Sequence, residues 1–81
     1  DQLAWQRFSL VFGPVLYVWV RQGGIPERDA PDVVQAVSQS VFQSLPRFRK
    51  ERPGERFRDW LWTIAKRRMC DYFRSRQHLQ L

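Results

Sequence analysis

Apolar side chains recur every three to four residues along almost the whole of this 81-residue chain, and no run alternates apolar and polar side chains as a strand does. That period puts them on one face of a helix. Trp5, Phe8, Phe12, Leu16 and Trp19 form the first such stripe. Pro14 lacks an amide hydrogen, so it bends this segment or opens a second helix, and helices are expected over about 2–12 and 14–22, nearly continuous with each other. Gly23-Gly24 ends them.

After the connection "IPERDAPD", with Ile25 tucked into the core, Asp29 is placed as the N-cap of a helix over about 30–45 with Pro31 in its first turn. Val33, Val34, Val37, Val41, Phe42 and Leu45 make its buried stripe. Valines are mediocre helix formers, so packing must hold this helix. Residues 46–55, fenced by prolines and a glycine, read as a loop whose one large apolar side chain is Phe48. A last helix is expected over about 56–76, about 30 Å long, with "QHLQL" fraying behind it. The expected fold is all-α, a compact bundle of three to four helices forming one domain over residues 1–81.

Composition narrows the chemistry. Four Trp, six Phe and two Tyr argue against disorder. The single cysteine, Cys70, excludes an internal disulfide, and with the lone His78 it cannot complete a zinc site. No cofactor and no metal are expected. The longest apolar run, "SLVFGPVLYVWV", is broken by Gly13-Pro14 and falls short of a membrane span, and no signal peptide is read, so a cytoplasmic domain is expected. No nucleophile–base constellation or Gly-rich phosphate loop is present, so an enzyme is not expected.

Charge is unevenly placed. Residues 1–45 carry three basic and four acidic side chains, net −1; residues 46–81 carry eleven and four, net +7. Such asymmetry is a footprint for a polyanion, an anionic membrane or an acidic protein surface, or a solvated basic face. On the last helix, at about 100° per residue, Phe57, Trp60, Leu61, Ile64, Ala65 and Tyr72 share the core arc. Asp59, Thr63, Lys66, Arg67, Cys70 and Arg74 share the opposite one, and Trp62, Met69 and Phe73 form a third ridge. Arg68 falls among the apolar residues and must snorkel or find Asp71 or Asp32. The preceding loop adds Arg47, Arg49, Lys50, Arg52 and Arg56 around Phe48. Phe48 either stacks on an unpaired base or folds back as a lid on the core; the first fits single-stranded or melted nucleic acid better than an intact groove.

These residues carry a resemblance. The blocks Asp29-Ala30-Pro31-Asp32-Val33-Val34-Gln35, Leu45-Pro46-Arg47-Phe48-Arg49 and "FRDWLWTIA" over 57–65 resemble, in order and spacing, region 2 of bacterial RNA polymerase sigma factors. The extracytoplasmic-function group is nearest, and "FGPVLYVWVRQGG" is similar to the family's first helical segment. The resemblance implies docking of the second helix on the clamp coiled coil of the core polymerase beta-prime subunit through Asp32, Gln35 and Gln39. It implies a loop over 46–55 that captures a base flipped from the promoter −10 element, with Phe48 at the aromatic position beside Arg49, Lys50 and Arg56. It also implies a last helix that lies along the non-template strand through Thr63, Lys66, Arg67 and Arg74. The expected function is therefore recognition and melting of the −10 element in transcription initiation, with promoter DNA, core RNA polymerase and an anti-sigma factor as partners. The alternative is a sigma-like interaction module that binds the clamp or an anti-sigma factor without melting DNA. Ala36, Ser38 and Arg67 depart from the family pattern of an acidic residue, Phe and Asn; Arg67 favours phosphate over a base edge. No counterpart of the family's second DNA-binding domain, region 4, is found in these 81 residues.

Overall fold

The computed structural model describes residues 2–79, and the side chains of residues 2–77. Three helices follow one another: α1 (Gln2–Gln22), α2 (Ala30–Glu51) and α3 (Phe57–Leu79). Each packs on the other two around a core in which Leu16, Val20, Ile25, Val37, Val41, Leu61 and Ala65 are almost fully buried. The expected stripes supply this core, with Phe12, Trp19, Val34, Phe42 and Leu45 half-covered at its edge. Met69, assigned by periodicity to an outer ridge, is buried, while its ridge partners Trp62 and Phe73 are exposed.

Both proline expectations need correction. Pro14 lies inside one continuous α1. Its missing N–H removes the usual bond to the carbonyl four residues back, that of Leu10, and Leu10 is 79% exposed, where water can reach. Pro46 likewise lies inside α2, which runs on to Glu51, so the loop expected over 46–55 shrinks to a turn around 52–56. A proline in a helix interior costs about 3 kcal/mol. Leu45 and Phe48 both pack half-buried against the core in the extended helix, and each returns part of the roughly 1.5–3 kcal/mol that full burial of such a side chain gives. Partial burial of both side chains offsets much of the local proline cost.

α1 is thus a 21-residue helix, long and apolar enough by composition to cross a membrane. It nevertheless turns Phe8, Leu16 and Val20 into the bundle, as an amphipathic core helix does. At its end Gly24 takes a positive φ of 99°, and Ile25 N–H reaches back to the Val20 carbonyl at 3.3 Å. At the far end, α3 extends to Leu79 rather than stopping near 76; the fraying expected of residues 80 and 81 lies outside the described residues.

Asp29 does precede α2, but its carboxylate makes no capping bond. It accepts instead from the Tyr72 hydroxyl and from Arg76 Nη2 at 2.9 Å, tying the start of α2 to the end of α3. The Tyr72 hydrogen bond, with the Arg76 and Arg28 charges, holds the Asp29 carboxyl below its ordinary value. The same bond, helped by partial burial, pushes the Tyr72 phenol up. Arg68 is anchored nearby: its Nε donates to Ser40 Oγ at 2.7 Å, and Nη1 lies 3.7 Å from Asp71. Of the two carboxylates proposed for it, Asp71 is the partner, and the buried Ser40 is the contact that periodicity does not reveal.

Candidate nucleic-acid interface

Extending α2 through Pro46 puts Ser44, Arg47, Phe48 and Glu51 on one stripe at positions i, i+3, i+4 and i+7. Trp60, Thr63, Ile64 and Arg67 follow the same spacing on α3. The two stripes face each other across a cavity of about 230 Å³, closed at its end by Arg52. That is room for one flat ring system rather than a larger ligand.

The cavity's wall is aromatic. Phe48 stacks on Trp60 with ring centroids 4.4 Å apart and planes 27° from parallel, and meets Phe57 edge-on at 6.1 Å. Phe57 in turn touches Phe12 at 5.3 Å, and the contacts continue through Phe8 and Phe42 to Trp5. Phe48 is therefore not a protruding loop residue. It is a half-buried helix residue whose ring lies against the core, the lid arrangement of the two weighed from sequence, and its remaining edge lines the cavity.

The rim is cationic. Arg47 and Arg67 form no ion pair among the described residues, whereas Arg52 is paired with Glu55 at 3.1 Å. Glu51 is the one acid on the lining. The Thr63 hydroxyl donates to the Asp59 carbonyl at 3.1 Å, which leaves its oxygen lone pairs facing out.

The remaining expected strand contacts are dispersed. Arg49, Lys50 and Arg56 are exposed beside the cavity without lining it, and Arg49 and Lys50 occupy the last turn of α2, where cations also complement the carbonyl end of the helix. Lys66 points to the other flank of α3, 5.9 Å from the Trp62 ring. Arg74 lies 3.5 Å from Asp71 and is partly neutralised by it. The positions expected at the clamp, Asp32, Gln35 and Gln39, are all exposed on α2. Asp32 borders a groove of about 330 Å³ shared with Arg68 and Arg76, and Gln35 borders one of about 310 Å³ between α1 and α2. Among the described residues no three His, Cys, Asp or Glu side chains converge as metal ligands do.

Sequence reasoning missed Ser44, Glu51 and the double use of Trp60, which seals the core and walls the cavity. Their heptad spacing becomes a signal only when residues 46–51 are taken as helical.

Fold and site together define a small all-helical module with an aromatic cavity under a cationic rim. The sigma-70 region 2 family model matches residues 12–79, and the chain belongs to that family. It is similar to the RNA polymerase sigma factor CnrH of Cupriavidus metallidurans, with 35% identity over 77 residues that make up 95% of this chain and 39% of that protein. The chain thus spans about two fifths of the length of that relative. No solved structure matches it.

Proposed function

We propose that this domain acts within an RNA polymerase sigma factor of the extracytoplasmic-function group, recognising and helping to melt the promoter −10 element in the cytoplasm. The observation that carries the reading is the cavity between α2 and α3, with Trp60 and Phe48 as its wall and the unpaired Arg47 and Arg67 at its mouth. An unstacked base of the non-template strand enters edge-first against the aromatic wall while the two guanidiniums hold the flanking phosphates. Phe48 acts here as a fixed wall rather than a mobile stacking finger. Arg49, Lys50, Arg56, Lys66 and Arg74 supply longer-range attraction along the strand. Asp32, Gln35 and Gln39, on the opposite end and side of α2, present polar groups to the beta-prime clamp coiled coil.

In reconstituted holoenzyme, a single-stranded non-template −10 oligonucleotide is expected to compete for binding better than its duplex. Equal competition by the duplex would reject the capture mechanism. A second reading, a sigma-like module that binds the clamp or an anti-sigma factor without melting DNA, draws support from the outward apolar stripe of α1, where Leu10, Val11 and Val18 lie open. That reading predicts holoenzyme assembly with no preference for the single strand.

A further inference from the structure

The other flank of α3 carries a second aromatic and cationic concavity. Where the end of α1 meets the start of α3, Trp19 and Trp62 pack edge to face with ring centroids 5.1 Å apart. Trp19 is anchored against the core, while Trp62 is 39% exposed. Together with Gln22, Arg58 and Asp59 they line an open cavity of about 410 Å³. The Arg58 guanidinium lies 5.9 Å from the Trp19 ring, and the Lys66 ammonium 5.9 Å from the Trp62 ring. Both distances are at the outer limit, about 6 Å, at which a cation and a ring attract each other usefully. Neither cation has a carboxylate partner among the described residues. Asp59 is the single acid among the residues that line the site.

We infer that this Trp19–Trp62 surface is a second base-stacking site for unpaired nucleic acid, with Arg58 and Lys66 holding its phosphates. The inference rests on the proposed reading of the chain as a nucleic-acid-binding domain, extends it to Trp19, Trp62 and Arg58, which that reading leaves unused, and gives Lys66 a defined place on the strand. An exposed tryptophan face is worth more against a base than against a cation at the edge of its range. Charge favours the same occupant, since residues 46–81 carry net +7.

Position links the two sites. Lys66 and Arg67 are neighbours in sequence and about 100° apart around α3, so the two cavities lie on opposite shoulders of one helix. A helix with its side chains is about 10–12 Å across, a width that a few steps of an extended, unstacked strand can cross. A strand with one base in the α2/α3 cavity can therefore place another on Trp62.

The test uses the full-length protein assembled with core polymerase. Affinities are measured for a short non-template −10 oligonucleotide and for one extended by several nucleotides at each end. Trp62→Ala is expected to weaken the extended strand about tenfold or more while leaving the short one unchanged, and Trp62→Phe to restore most of the loss. Arg67→Ala is expected to weaken both. Arg58→Gln, an exposed change that leaves the core intact, is expected to reduce the salt slope of extended-strand binding by about 0.7. If Trp62→Ala and Arg58→Gln leave the extended strand untouched while Arg67→Ala weakens both strands, the second site is disproved and the first stands. If Arg67→Ala also has no effect, the nucleic-acid reading falls with it. A loss of core-polymerase affinity in Trp62→Ala without any loss in strand affinity overturns the inference in favour of a protein contact.

Discussion

The two ends of the α2–α3 pair carry similar residues and use them in opposite ways. Toward the start of α2 and the end of α3, Arg76 meets Asp29 and Arg74 meets Asp71, and midway along the pair Arg68 meets Ser40 and Asp71. Toward the end of α2 and along the first half of α3, Arg47 and Arg67 flank an aromatic cavity without an ion pair among the described residues, although Glu51 shares its lining. In the first group guanidiniums tie two helices together; in the second, Arg47 and Arg67 form no ion pair among the described residues. The difference teaches that a count of basic residues says little about binding. What distinguishes a binding cation is the absence of a fold-derived counter-charge.

The largest expected effect blurs this contrast, because Phe48 belongs to both fold and cavity. Phe48→Ala removes the stacked contact with Trp60 and the edge contact with Phe57, and is expected to destabilise the domain by about 2–3 kcal/mol in chemical denaturation. Unchanged stability would return Phe48 to the role of a free stacking residue. Next in size, Arg67→Glu sharpens the contrast. It is expected to lower single-strand affinity by about ten- to a hundredfold while shifting stability by less than about 0.5 kcal/mol. A matching loss of stability would show that Arg67 supports the fold, as the arginines of the other end do.

The smallest effect lies in pH dependence at the locked end. Asp29 has its folded value below the ordinary 3.8, so its contribution is present above that value and disappears as pH falls through the folded one. Tyr72 has its folded value above the ordinary 10.0, so its contribution is present below that and is lost as pH rises through the folded one. Asp29→Asn is expected to flatten both limbs of the stability profile, monitored by thermal unfolding across pH. If both limbs persist, the latch does not couple the helices. Strand binding at neutral pH serves as the control at the other end and is expected to stay constant.

The helical class and most core positions were legible because a 3.6-residue period needs only local sequence. Trp60, Leu61, Ile64 and Ala65 are buried as that period requires. The bounds of α2 were not legible, since the proline rule is local and the burial of Phe48 against a helix further along the chain is not. The same limit hid the Ser40 partner of Arg68 and the partners of Asp29, which lie 28 and 43 to 47 residues away, whereas the nearby Asp71 partner of Arg68 was legible. At the site, the cations could be read directly from charge. Which of them converge could not, because Arg47 and Arg67 are brought together only by the packing of α2 on α3.

Trp60 is at once a structural beam and the back wall of the cavity. On the proposed base-capture reading, any exchange there that altered which base is accepted would also strike the foundations of the domain. On that reading, evolution of a new promoter preference would be channelled toward Ser44, Arg47 and Arg67 at the entrance, where residues can drift while the scaffold behind them stays the same.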